Sequence, residues 1–175
     1  MEWQRNTKSK LMDSKIKVIG LAALLLLCVF TGCKKEDWMD WKVQNELVLN
    51  ANRHNNGVVT TETGLQYRII SDEYKSEPRP HAESLVTCKY ELRLPAANNR
   101  VIDQSNLATL PMQSVVPGFL EGLKHVHNHG IIEMWVPCEI GYGEDGYGTE
   151  GYQTHIPPYS TLYFKVDVIN VTNAY

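Results

Sequence analysis

Three stretches of this chain alternate apolar and polar residues with period two, and that rhythm limits the fold more than any other feature. Leu65, Tyr67 and Ile69 alternate with Gln66, Arg68 and Ile70. Val86, Cys88, Tyr90, Leu92 and Leu94 alternate with Thr87, Lys89, Glu91 and Arg93. Leu162, Phe164, Val166 and Val168 alternate with Tyr163, Lys165 and Asp167. Successive side chains of a strand point to opposite faces, so each stretch predicts a half-buried antiparallel strand. Ile131 to Val136 predicts a further strand and Pro95 to Asn99 a turn. Gly118 to Val126 predicts one short helix, with Pro117 where a helix can begin without loss of a hydrogen bond. The expected class is α+β: a curved antiparallel sheet of about five strands wrapped on one short α-helix.

Trp38 to Arg53 predicts an N-terminal helical extension. Trp38, Trp41, Val48 and Leu49 share one face, Asn45 interrupts it, and Val43 and Leu47 point to the other side. The face is expected to pack on the domain or on a partner subunit, the second use giving a dimer through this helix. Asn55-Asn56-Gly57 ends the helix. Upstream, Lys15 and Lys17 precede an apolar run from Val18 to Phe30, shorter than the roughly 18–20 residues that span a bilayer. The run stops at Phe30-Thr31-Gly32-Cys33, which resembles a bacterial lipobox. That resemblance implies a signal peptide over residues 1–32, lipidation at Cys33, a lipidated tether and helix over 33–63, and a domain over 64–175. Nothing directly after Cys33 resembles the Asp that retains some lipoproteins at the inner membrane. The expected place is the cell envelope, lipid-anchored at the outer membrane on its periplasmic or surface face.

Formal net charge is −3 and the pI about 6.1. With no basic face and no Arg/Lys-aromatic pattern, nucleic acid is not an expected partner. Cys88 and Cys138 remain once Cys28 leaves with the signal and Cys33 is acylated. Outside the cytoplasm they could pair; they read more simply as two separate small apolar residues in strands.

Three further segments carry the chemistry. They are Val115-Val116-Pro117-Gly118-Phe119-Leu120-Glu121-Gly122-Leu123, Pro137-Cys138-Glu139-Ile140-Gly141-Tyr142-Gly143 and Ile156-Pro157-Pro158-Tyr159-Ser160-Thr161-Leu162-Tyr163-Phe164. With Val101-Ile102-Asp103-Gln104-Ser105 upstream, their order and spacing resemble the FKBP-type peptidyl-prolyl cis-trans isomerases, from about Gly64 to Val171. The resemblance implies an apolar cavity that twists X–Pro amides, with no cofactor and no metal. In it Tyr90 is the aromatic of the long strand, Asp103 the polar group on the wall, Phe119 the floor, and Tyr142 the hydroxyl donor to a substrate carbonyl. Val115 and Val116 are aliphatic walls, and the Val116 N–H is a second donor. Ile156 and Phe164 close the far side, Ile102 stands in a Phe-Asp pair, and Leu110 stands for a further aromatic.

The departures from the family pattern are specific. Phe119 replaces a usual Trp, Ile102 a usual Phe, and Leu92 a common Gly. The implied partners are proline-containing unfolded or exported polypeptides, macrolide ligands, and a membrane through the lipid anchor. The alternative is a catalytically weak binding or chaperone module, or an envelope-assembly lipoprotein docking through the Trp38/Trp41 helix.

Two patterns compete for attention. His125, His127 and His129 could share a transition metal if they lay on a strand, but Asn128 and Gly130 mark a turn between helix and strand. The acidic, Gly-rich loop from Glu144 to Glu150 lacks the Asp/Asn ladder of a calcium loop and reads as a mobile flap beside the cavity.

Overall fold

The computed structural model describes residues 38–173. The element order is α1 (Met39–Asn52), β1 (Val59–Thr60), β2 (Gln66–Ser71), β3 (Leu85–Leu94), β4 (Arg100–Pro111), α2 (Pro117–Leu123), β5 (Ile131–Val136) and β6 (Leu162–Thr172). Among the described residues the strands form one six-stranded sheet in the order β1-β2-β5-β6-β3-β4. Every neighbouring pair is antiparallel. The architecture is the expected α+β sheet, with one strand more than the five or so expected. The lipobox, Cys33 and the apolar run before it lie outside the described residues.

The period-two pattern becomes a two-faced sheet. Val86, Cys88, Leu92 and Leu94 of β3, Ile132, Met134 and Val136 of β5, and Leu162, Phe164, Val166 and Val168 of β6 are all buried on the inner face. The register sets Leu92 and Met134 on either side of Phe164. Burying each such aliphatic side chain is worth about 1.5–3 kcal/mol relative to exposure. The outer face carries charge instead. Arg68 donates from Nε to Glu133 at 2.9 Å, and the Tyr163 hydroxyl donates to the same carboxylate at 3.0 Å.

Helix α2 lies on this inner face through residues without side chains. A Cβ at Gly118 would sit 2.5 Å from Val136 Cγ1, and one at Gly122 would run into the Met134 sulfur. The helix therefore approaches β5 as closely as backbone allows and aims Phe119 and Leu123 into the core. Val116 is extended just before it and Pro117 opens it. The helix ends at Leu123, three residues short of the expected Val126.

Helix α1 is fixed by different means. Its most buried residue is Asn45, 2% exposed, the residue that interrupts its apolar face. The Thr161 N–H donates to Asn45 Oδ1 at 2.7 Å, and Asn45 Nδ2 donates to the Trp41 carbonyl. Trp41 Nε1 donates to Ser160 Oγ at 3.1 Å. At the end of α1, Asn52 Nδ2 donates to Gln66 Oε1, and Gln66 Nε2 donates to the Leu49 carbonyl. These amides dock α1 on its own domain, against the turn that follows Pro157-Pro158.

Candidate functional site: an aromatic-lined cavity on the inner face

Between α2, the inner ends of β3, β4 and β6, and the loop after β5 lies a cavity of about 360 Å³. Phe119 and Phe164 meet edge to face within it, centroids 4.9 Å apart at 74°. Phe119 is held by its place on α2 and is 3% exposed. Tyr90 and Asp103 stand on adjacent strands and are brought together by irregular pairing of β3 with β4. The Tyr90 hydroxyl donates to Asp103 Oδ2 at 2.6 Å. Burial and then that hydrogen bond to a carboxylate push the Tyr90 hydroxyl well above its ordinary range, so it stays protonated as a donor. Tyr142 follows the short helical turn Cys138–Ile140. Burial first, and the nearby Tyr147 and Asp103 after it, also raise the Tyr142 hydroxyl. Both phenols are hydrogen-bond donors at neutral pH.

Seven residues expected at the site, Tyr90, Asp103, Val115, Val116, Phe119, Tyr142 and Phe164, line this one cavity, and Leu110 joins them. They come from five separate segments of the chain, and only the fold brings them together. Ile102 and Ile156 do not line it; both are buried in the core behind the wall. Two lining residues went unremarked in the sequence, Ser114 and Tyr147, and Leu92, noted there only as a departure from the family pattern, lines the cavity as well. Leu92 follows from the strand alternation that also places Tyr90. Tyr147 had a signal too, because Gly146-Tyr147-Gly148 repeats Gly141-Tyr142-Gly143 five residues later.

The other candidates have separate fates. The three histidines face three partners. His125 stacks on Tyr67 with centroids 4.1 Å apart. His127 Nδ1 meets Asp72 at 3.0 Å while its Nε2 accepts from Arg79 Nε at 2.9 Å. His129 meets Tyr74 edge on. Among the described residues no group of three His, Cys, Asp or Glu side chains is placed to hold a metal ion. Cys88 and Cys138 are both free thiols. Burial pushes Cys88 up to about 11, and burial with the neighbouring Glu139 pushes Cys138 up to about 12, so neither is a ready nucleophile. The acidic loop is not loose at its base, since Tyr147 pairs with Ile156 in an antiparallel bridge.

Fold and cavity define the class: an α+β domain whose sheet, single inner helix and loops enclose one aromatic-lined, hydroxyl-bearing pocket. The family model described as FKBP-type peptidyl-prolyl cis-trans isomerase matches residues 77–169, and the chain belongs to that family. The chain is 36% identical over 127 residues to the peptidyl-prolyl cis-trans isomerase Mip of Coxiella burnetii, covering 70% of this chain and 51% of that protein. It is 30% identical to the outer membrane protein MIP of Legionella longbeachae, covering 76% and 55%. The chain thus spans about half the length of the curated relatives it matches. Among solved structures, that of FkpA from Escherichia coli is similar, with a TM-score of 0.72 and 23% identity. That likeness covers 100% of this chain and 75% of FkpA. A prolyl isomerase structure from Pseudomonas syringae matches with a TM-score of 0.67 and 21% identity, covering 81% and 98%. At these identities the structural likeness concerns the fold.

Proposed function

We propose that this chain is a peptidyl-prolyl cis-trans isomerase acting on X–Pro bonds of exported polypeptides. The observation that carries this reading is the convergence of Phe119, Phe164, Tyr142 and the Tyr90–Asp103 pair in one cavity. The reaction breaks no covalent bond. The amide must twist through a state without resonance, over a barrier of about 18–20 kcal/mol, and unaided this takes roughly tens to hundreds of seconds. A planar amide is more polar than a twisted one, so an apolar cavity disfavours the ground state relative to the transition state. Each ~1.36 kcal/mol of that difference gives about tenfold in rate. The substrate proline packs on Phe119, the Tyr142 hydroxyl donates to one substrate carbonyl, and the Val116 N–H donates to another. Tyr90 anchors the Asp103 carboxylate on the wall. Macrolide ligands occupy the same apolar space.

The same reading places the protein in the cell envelope, anchored through lipid on Cys33, with clients that fold after export. It also gives the outward stripe of α1 an occupant. Met39, Val43 and Leu47, spaced four residues apart, are 53%, 49% and 60% exposed, and a second copy of the chain covers them. A second function is favoured by one observation, the two departures from the family pattern in the cavity lining. Phe119 stands at the floor and Leu92 fills wall space, which suits a module that holds unfolded chains with little turnover.

A proline-peptide isomerisation assay on the full chain in detergent separates the two. Acceleration supports the isomerase; binding of unfolded chains without acceleration supports the holding module. For the anchor, Cys33→Ala is expected to abolish acyl labelling and membrane association. Acyl label still entering that variant would remove the lipid from the account.

A further inference from the structure

The loop between Tyr142 and Ile156 is built to present a second tyrosine to the cavity. The Gly146 N–H donates to the Tyr142 carbonyl at 3.2 Å and closes a tight turn. Gly146 has φ +69°, and a Cβ there would run into the Ile156 carbonyl oxygen, so a side chain is excluded on both counts. The next residue, Tyr147, uses both its backbone groups. Its N–H donates to the Ile156 carbonyl at 2.8 Å, and its carbonyl accepts from the Ile156 N–H at 2.9 Å. Beyond this bridge, Arg100 at the start of β4 clamps the rest of the loop. Its Nη1 donates to the Gln153 carbonyl and its Nη2 to the His155 carbonyl, each at 3.1 Å. The result is a parallel-stacked pair, the Tyr142 and Tyr147 rings lying 4.9 Å apart at 28°, with Tyr147 at the cavity mouth.

We propose that Tyr147 is a positioning residue: its ring, fixed by the Ile156 bridge and the Arg100 clamp, holds the Tyr142 ring so that the Tyr142 hydroxyl points into the cavity. The kinetic part of this proposal rests on the isomerase reading above. The stack uses the face of the Tyr147 ring, so a Phe at this position serves as well as Tyr. A ring held before substrate arrives needs no ordering on binding. The loop's restraint and the stack therefore act together on one hydroxyl.

The test uses the full chain and three variants, Tyr147→Ala, Tyr147→Phe and Arg100→Gln. Two quantities are read: kcat/KM on X–Pro peptides, and the ring resonances of Tyr142 by NMR without ligand. Tyr147→Ala is expected to move the Tyr142 ring resonances by removing the stacked ring current. It should also lower kcat/KM by about 2- to 12-fold, the worth of an aromatic pair. Tyr147→Phe restores both, a rescue that a merely structural loss would not show. Arg100→Gln gives a smaller change of the same sign in both. If the parent chain shows no isomerase activity, the isomerase reading fails, and the NMR arm alone decides whether Tyr147 positions Tyr142. Unmoved Tyr142 resonances in Tyr147→Ala overturn the proposal whatever the activity. So does a moved resonance with unchanged kcat/KM in an active parent.

Discussion

The two helices of this domain are held by opposite chemistry. Helix α2 is docked by apolar side chains and by two glycines that let its backbone meet β5. Helix α1 is docked by Asn45, Asn52, Trp41 and Gln66 through hydrogen bonds, while three of its apolar residues, Met39, Val43 and Leu47, face outward. A buried amide contributes little net stability when paired and leaves a large deficit when its partner is removed. An apolar contact contributes in proportion to the area it covers. The consequence is a rigid, non-directional seat under the cavity floor and a directional latch on the Pro157-Pro158 turn. The latch matters to the site because Ser160 and Thr161, which it grips, lie between that turn and the strand that carries Phe164.

Substitutions test this contrast from both sides. The largest expected effect is in the apolar seat. Phe119→Ala deletes a buried ring and should cost about 3–5 kcal/mol of stability, with loss of proline-peptide binding; chemical denaturation and a binding titration check it. Unchanged stability would mean that Phe119 supports neither core nor cavity. Next come two substitutions of similar size and opposite cause. Gly118→Ala overpacks against the stiff Val136 side chain and should cost about 1–3 kcal/mol. Asn45→Ala strands the buried Thr161 N–H and should cost about 1–3 kcal/mol. Asn45→Leu should be no better than Asn45→Ala, because the latch depends on the amide and not on volume. A Leu that restored stability would make α1 an apolar helix after all. The smallest effect belongs to the outward stripe. Val43→Ser with Leu47→Ser should leave monomer stability within about 0.5 kcal/mol while weakening self-association, measured by sedimentation at several concentrations.

The same contrast explains what could be read from the sequence. The strands β3 and β6 and the helix α2 were legible because their partners are apolar and their hydropathy has a period. The face of α1 was misread at Asn45, because hydropathy scores a buried, paired amide as a blemish. Strand β4 escaped notice since its polar run Gln104-Ser105-Asn106 lies on a sheet edge, and irregular pairing with β3 breaks its alternation. Within the site, the residues that carry the family pattern meet in the cavity, Tyr90 and Asp103 included. Ile102 and Ile156 fall behind the wall because side-chain direction on a bulged strand or a turn does not follow from spacing. Tyr147 carried a signal in its repeated Gly-Tyr-Gly, but its place at the cavity depends on the bridge to Ile156, which spacing does not announce.

The proposed isomerase activity requires that this cavity lower the barrier to X–Pro rotation, with Tyr142 donating a hydrogen bond. The most direct measurement is the isomerisation rate of a proline peptide with the full chain and with Tyr142→Phe. Acceleration is expected for the parent and, for the variant, a loss worth about 0.5–1.5 kcal/mol, with folding unchanged. No acceleration by a folded parent, or an unaltered rate in Tyr142→Phe, would contradict it.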